Sequence, residues 1–107
     1  MSLTVYLIET RPVEVYENNI THNLGKVARE AGVYDALWRP EELDVKTARD
    51  LMPHLEAGLK ALWADPPKFK AHSPENGWED YEGLWEFVRS YWIACIANPD
   101  ATVRVSK

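Results

Sequence analysis

The sequence predicts a small, helix-rich α+β domain in which three main helices pack on a small sheet that includes the N- and C-terminal strands. Three observations lead to this prediction. A short run of strand-forming residues opens the chain, three apolar patterns of helical period follow, and a short alternating run closes it. The 107 residues suit one domain, 1–107, whose core buries roughly two thirds of the unfolded surface.

The first strand is predicted over residues 3–9, which are rich in β-branched and aromatic side chains. Leu3, Val5 and Leu7 fall on one face of such a strand because successive side chains alternate. Residues 13–16 alternate as well, and they fit either a second short strand or an extended loop.

The closing strand is predicted over residues 101–106, with Val103 and Val105 on one face. Each chain-end strand then has an apolar face. Two such strands are stable if they pair with each other beneath the helices, so we expect both in one sheet.

Helix one is predicted to begin at Thr21, with Thr21 or Asn19 as its N-cap, and to end at Gly32. Its apolar stripe recurs at three and four residues: Ile20, Leu24, Val27, Ala28 and Ala31. Residues 33–38 predict one more helical turn before Pro40.

Helix two is predicted over residues 44–65, capped by Asp44 or Thr47. Gly58 lies beside its stripe, where the missing side chain lets another element come close. Pro53 removes one backbone donor and is expected to kink the helix or to begin a fresh turn at its own position. Its apolar stripe comprises Ala48, Leu51, Leu55, Leu59 and Leu62, widened by Met52 and Trp63.

Helix three is predicted over residues 79–97 and carries the strongest periodic signal in the chain. Its stripe comprises Tyr81, Leu84, Trp85, Val88, Tyr91, Trp92, Cys95 and Ile96. Cys95 is therefore predicted to be a small core residue, whereas Ile93 lies off the stripe and is expected to be exposed.

The net charge of the chain limits the classes of partner that we expect. The net charge of -5 argues against general nucleic-acid binding, which needs clustered Lys and Arg. A single cysteine, no apolar run of membrane-spanning length and no secretory signal lead us to expect a cytoplasmic protein without a membrane partner. His22, His54 and His72 lie far apart without other ligands at zinc spacing, so neither a metal nor another cofactor is expected.

A polar cluster is predicted at the start of helix one, where Asn19, His22 and Asn23 stand close together in the sequence. Backbone donors and the helix dipole favour an anion at a helix N-terminus, so these residues are candidates for binding a phosphate or carboxylate. The simpler interpretation is helix capping, because Asn and Thr side chains bond the unpaired N–H groups there.

A second candidate is the sequence Trp38-Arg39-Pro40-Glu41-Glu42. Arg39 beside the Trp38 ring suits bidentate binding of a carboxylate or phosphate, and equally suits an ion pair with a neighbouring glutamate that anchors the loop. Trp78, in the Asn-Gly-Trp turn, fits either a plug for the core or a surface for a partner.

The sequence resembles a set of small uncharacterised proteins from bacteria and their phages. The residues that carry the resemblance are the blocks 19–28, 31–34 and 37–42 (Asn-Ile-Thr-His-Asn-Leu-Gly-Lys-Val-Ala, Ala-Gly-Val-Tyr and Leu-Trp-Arg-Pro-Glu-Glu), with Asn76-Gly77-Trp78 and Pro99-Asp100-Ala101. The resemblance implies a bacterial or phage cytosolic setting and assigns no catalytic residue.

These observations predict a binding or accessory protein, not an enzyme, that recognises a protein partner or a small anionic ligand through one surface built from Asn19, His22, Asn23, Trp38 and Arg39. No phosphate loop, nucleophile elbow or paired CxxC is present in the sequence. One alternative is a small enzyme with His22 as general base, because the histidine pKa suits that role near neutral pH. Another is a homo-oligomeric structural protein that uses exposed residues such as Trp78 or Ile93.

Overall fold

The computed structural model of the chain describes residues 2–8, 14–21, 24–64 and 77–106, and only the backbone at 14, 21 and 77–80. It has the α+β architecture that the sequence predicts. The strands are β1 (Ser2–Ile8), β2 (Glu14–Thr21) and β3 (Thr102–Ser106), and the helices are α1 (Gly25–Glu30), α2 (Tyr34–Trp38), α3 (Ala48–Ala64) and α4 (Gly77–Ala97). A 3-10 turn, Pro40–Leu43, follows α2.

The sheet has the order β2-β1-β3, and both pairings are antiparallel. The predicted pairing of the two chain-end strands is therefore confirmed, with Val5 opposite Val105. Leu3, Val5 and Leu7 are fully buried on the face that the helices cover, as their alternation predicts. Glu14, Val15 and Tyr16 belong to a strand and not to a loop, while Val13 lies outside the described residues.

The predicted start of helix one is wrong. Residues 19–21 belong to β2, and α1 begins four residues later at Gly25, with Leu24 as an N-cap that makes no side-chain hydrogen bond. Ile20 has the helical spacing to Leu24, but it is also β-branched and pairs with Leu3 across the sheet. The sheet buries Ile20, so tertiary pairing decides between two patterns that the local sequence leaves equal.

The predicted turn between α1 and α2 is confirmed. Gly32 has φ +75°, the left-handed conformation expected after a helix end, and its N–H donates to the Arg29 carbonyl at 3.0 Å. Val33 then donates to the Ala28 carbonyl at 2.9 Å. The chain reverses tightly at this point, so the last turn of α1 and the first turn of α2 face a common cleft.

Helix α3 begins at Ala48 and runs continuously through Pro53. Thr47 precedes it as predicted, whereas Asp44 does not cap it: Asp44 ends the 3-10 turn in a left-handed conformation. The Asp50 carboxylate accepts the backbone N–H groups of Lys46 and Thr47, each at 3.3 Å, and these bonds hold the pKa of Asp50 below its ordinary value.

The two long helices, α3 and α4, contribute ten of the 24 buried hydrophobic residues in the described part of the chain, and two residues of their predicted stripes are exposed instead. Trp63 does not widen the core stripe of α3, because it is 73% exposed, and Ile96 of α4 is 49% exposed. Both lie at the margin of their stripes. Ile93 is 45% exposed, as predicted, and Cys95 is buried. The Tyr81 hydroxyl donates to the Leu62 carbonyl at 2.8 Å and joins α4 to α3.

No helix in the described part of the chain is long and apolar enough to cross a membrane.

Candidate functional site

The arginine cleft is a surface cavity of about 330 Å³ beside the α1–α2 turn, lined by Arg29, Gly32, Tyr34, Asp35 and Arg39. Arg29 comes from the last turn of α1, Tyr34 and Asp35 from the first turn of α2, and Arg39 directly follows α2. Because Gly32 reverses the chain, two basic residues ten positions apart in sequence line one cavity.

An aromatic stack supports this cleft. The Arg29 guanidinium lies 4.2 Å from the centroid of the Tyr34 ring, and that ring stacks on Trp38 with centroids 4.9 Å apart and planes 11° apart. A Cβ added at Gly25 would lie 3.6 Å from the Tyr34 ring, so α1 packs closely against it. Trp38 is only 3% exposed, so its role here is to support Tyr34 from within the core.

Arg39 is the predicted binding residue that the structure places on this cleft. Its backbone N–H donates to the Asp35 carbonyl at 2.8 Å, which ends α2 and fixes where the side chain leaves the helix. The guanidinium is about half exposed, and its Nη1 lies 3.6 Å from a carboxylate oxygen of Glu42. The predicted ion pair with a neighbouring glutamate is therefore present, but at this distance and exposure it is weak.

The charges in the cleft suit a small anion. Among the described residues that line the cleft, Arg29 and Arg39 are positive and Asp35 is negative, so this lining carries a net positive charge, although Glu42 beside the cleft pairs weakly with Arg39. Planar guanidinium groups bind carboxylates and phosphates through paired hydrogen bonds. Asp35 adds an acceptor for a hydroxyl or ammonium group on the same ligand.

Asn19 does not line the arginine cleft. It is exposed on β2, and its side-chain Nδ2 donates to Ser2 Oγ at 2.9 Å and to Thr4 Oγ1 at 3.0 Å. These two bonds use both amide hydrogens, so the side chain ties β2 to β1 on the outer face of the sheet. Asn19 and Arg39 line two different clefts, and the structure does not join them in one site.

The remaining candidates cannot be placed at a site. His22 and Asn23 lie outside the described residues, so the proposed general base stays a prediction. The backbone of Trp78 lies in the first turn of α4, and its side chain is outside the described part.

The edge cleft is a second cavity, of about 360 Å³, between β2 and α4. It is lined by Asn18, Asn19, Ile20, Leu24, Gly83, Glu86, Phe87 and Ser90. Its deepest residues are apolar and almost completely buried, and its rim is polar. This arrangement, an apolar floor with a few polar groups around it, is typical of binding sites.

The described residues give no evidence of a metal site or of a reactive thiol. Among residues 2–8, 14–21, 24–64 and 77–106, no three His, Cys, Asp or Glu side chains are grouped so that they could hold a metal ion. Cys95 is fully buried, and burial raises the pKa of its thiol to about 12, so it is not a nucleophile near neutral pH.

The sequence did not point to Arg29 or Tyr34. The local signal is Gly32, which predicts a chain reversal between Arg29 and Tyr34 but not the angle that brings their side chains together. No family model matches this chain, and no curated protein or solved structure shows significant similarity to it. The function must therefore be inferred from the residues of the arginine cleft itself.

Proposed function

We propose that the protein is a non-enzymatic binding protein whose arginine cleft recognises a small anionic ligand. The observation that supports this most directly is that Arg29 and Arg39 line one open cavity together with the Tyr34 ring. Arg29 lies over an aromatic ring and Arg39 is 3.6 Å from an exposed glutamate, and no charged side chain is buried among the described residues, so neither guanidinium pairs with a buried carboxylate there.

The ligand class follows from the groups in the cleft. A carboxylate or phosphate would bind the guanidinium groups of Arg29 and Arg39. Asp35 favours a ligand that also carries a hydroxyl or ammonium group, because such a group donates a hydrogen bond to the carboxylate. A long polyanion is disfavoured, because the protein as a whole has a net charge of -5.

The proposal includes a bacterial or phage origin and a cytoplasmic location. The resemblance of residues 19–42 to small proteins of bacteria and phages supports a bacterial or phage origin. A single, buried cysteine and an acidic composition are typical of cytoplasmic proteins. In that compartment carboxylates and phosphate esters are the abundant small anions.

A thermal-shift screen tests the proposal. The panel contains inorganic phosphate, nucleoside monophosphates, sugar phosphates, hydroxycarboxylates and amino acids. A ligand at about 100 times its Kd adds about 2.7 kcal/mol to the free energy of unfolding, which raises the Tm of a domain of this size by on the order of 10 °C.

Matched variants locate the site. Arg29→Ala and Arg39→Ala should each abolish most of the shift while the protein stays folded, and Arg39→Lys should recover it only in part because lysine lacks the planar fork. Arg49→Ala is the control, since Arg49 is exposed and pairs with Asp100 at 2.9 Å, away from the cleft lining. A shift that survives both cleft variants, or one that disappears in Arg49→Ala as well, contradicts the proposal.

A further inference from the structure

The outer edge of β2 faces away from β1, and a strand added there would replace the Asn18 side chain as the acceptor for the Asn19 N–H. The Asn19 N–H donates to the Oδ1 of the neighbouring Asn18 side chain at 2.8 Å, so it points away from β1. In an antiparallel pair, alternate residues direct their N–H and C=O groups to the partner strand and away from it. Asn19 and Glu17 therefore face outward, whereas Asn18 and Ile20 face β1.

The two edges of the sheet differ. At β3, the Val103 N–H donates to the Lys46 carbonyl at 2.9 Å, and Thr47 forms a bridge with Thr102, so the segment before α3 covers that edge. At β2, no other strand lies outside it in the described part of the chain. Unpaired edges pair readily with an added strand.

The edge cleft runs beside this edge. Its floor is formed by Ile20, Leu24 and Phe87, and Gly83 on α4 leaves the wall without a side chain. A strand added to β2 would direct every second side chain towards α4, where this floor lies, and the others towards the outer face of the sheet. The floor therefore suits an apolar side chain of the added strand.

The charged residues near the outer edge of β2 indicate which added strand would bind there. Glu17 is exposed on the outer face of β2, and Glu86 is exposed on α4 at the rim of the cleft. Among the described residues, the lining contains no Lys or Arg. A strand with Lys or Arg on its outward side would meet Glu17, and one basic residue near the rim would meet Glu86.

We propose that the groove between β2 and α4 binds an extended peptide segment, which adds to β2 as a further strand. The peptide alternates apolar residues, which fill the Ile20, Leu24 and Phe87 floor, with Lys or Arg. Main-chain hydrogen bonds supply affinity in this mode of recognition, and the alternating side chains supply specificity. This site is separate from the arginine cleft and does not depend on the anion proposal.

The test uses peptides selected from a random library of ten-residue sequences displayed on phage. The selected peptides should alternate apolar with basic residues, and their Kd is measured by fluorescence anisotropy. Glu17→Pro is the decisive variant, because it removes an outward N–H and leaves the pairing with β1 intact. It should weaken binding by about tenfold or more.

Glu17→Ala is its matched control. It keeps the backbone donor and removes only the charge, so binding should weaken by roughly two- to fivefold. Far-UV circular dichroism establishes that both variants stay folded. Should Glu17→Pro unfold the domain, Glu86→Lys on the exposed surface of α4 replaces it, and it should disfavour basic peptides and favour acidic ones.

Several results would overturn the proposal. One is that no peptide is enriched above background. Another is that peptides bind Glu17→Pro as tightly as the wild-type protein, or that Glu86→Lys leaves the selected sequences unchanged. A third is that the protein dimerises through β2, that Glu17→Pro abolishes the dimer, and that no peptide competes with dimerisation. The occupant of the groove would then be a second copy of the chain. Arg49→Ala, at a residue that lies in the lining of neither cleft, should leave peptide binding unchanged.

Discussion

Tyr91 packs as a core residue although it carries a polar atom. Its ring stacks on Tyr16 with centroids 5.8 Å apart and meets the edge of Phe87 at 6.1 Å. The hydroxyl is buried and has no hydrogen-bond partner among the described residues, and burial raises its pKa well above the ordinary value. A buried polar group without a partner costs free energy, so the ring stabilises the core and the hydroxyl opposes it.

Tyr91→Phe should therefore stabilise the protein by about 1 kcal/mol, because it removes the unpaired hydroxyl and keeps the ring. For a domain of this size that corresponds to a Tm increase of about 4–8 °C, which calorimetry measures readily.

Tyr81→Phe is the matched control for that substitution. The Tyr81 hydroxyl donates to the Leu62 carbonyl at 2.8 Å, so its removal should lower stability by about 1 kcal/mol. If both substitutions lower the Tm equally, the hydroxyl of Tyr91 has a partner that this account lacks.

The burial of Cys95 can be tested through the pH dependence of the free energy of unfolding. Burial raises the pKa of its thiol from 9.0 to about 12, so the folded protein holds the thiol neutral. The stability from this group is full below pH 9.0 and is lost as the pH rises towards about 12, because the unfolded chain ionises first. The loss of stability above pH 9.0 should be smaller in Cys95→Ala than in the wild-type protein, as urea denaturation at each pH would show.

Thiol labelling gives an independent check of the same burial. At pH 8 an aromatic disulfide reagent should react with the folded protein only as fast as it opens, and rapidly after denaturation. Immediate labelling of the folded protein would contradict the placement of Cys95 in the core.

At the scale of elements, two glycines in the long helices have opposite surroundings. A Cβ added at Gly58 of α3 would lie 2.8 Å from the Cβ of Val33, which is too close, so the α3–α2 packing requires glycine there. A Cβ added at Gly83 of α4 would lie 3.6 Å from a methyl group of Leu24, an ordinary contact at an exposed position.

The two alanine substitutions should therefore have opposite effects. Gly83→Ala should stabilise the protein by about 0.5–1 kcal/mol, because alanine loses less backbone entropy in a helix. Gly58→Ala should destabilise it by about 1–3 kcal/mol, since the steric overlap with Val33 outweighs the same gain. Urea denaturation of both variants measures this contrast, and a stabilised Gly58→Ala would show that α2 and α3 are not packed this closely.

The elements that sequence periodicity predicts well are those with long or strictly alternating patterns. The stripes of α3 and α4 and the alternation of β1 each recur often enough to specify a buried face. The start of α1 was not predictable in this way. Ile20 satisfies the helical spacing and the strand alternation equally, and only its partner Leu3, seventeen residues earlier, decides between them.

The site was predictable only where neighbouring residues in the sequence form it. Arg39 and its ion pair with a glutamate follow from the local sequence Trp38-Arg39-Pro40-Glu41-Glu42. Arg29 and Tyr34 join Arg39 because a left-handed glycine folds α1 back towards α2, and the angle of that reversal depends on packing. Asn19 and Arg39, which the sequence predicts on one recognition surface, line two different clefts in the fold.

In the whole molecule, the two clefts differ in their chemistry. The arginine cleft carries two guanidinium groups, which suit the small anion that we propose, and the edge cleft has apolar residues and acidic borders, which suit the basic peptide that we propose. The net charge of -5 supports this division, because the protein repels long polyanions while a local positive cavity still attracts small ones. Binding at the arginine cleft should weaken with added salt as exposed charges are screened.

The most direct measurement of the anion proposal is a nuclear magnetic resonance titration of the arginine side-chain Nε–H groups with inorganic phosphate. The account predicts saturable shifts of the Arg29 and Arg39 resonances with a common Kd, while Arg49 and Arg89, which do not line the cleft, stay unchanged. If all arginine resonances instead move together in proportion to phosphate, or if only arginines outside the cleft respond, the arginine cleft is not an anion-binding site.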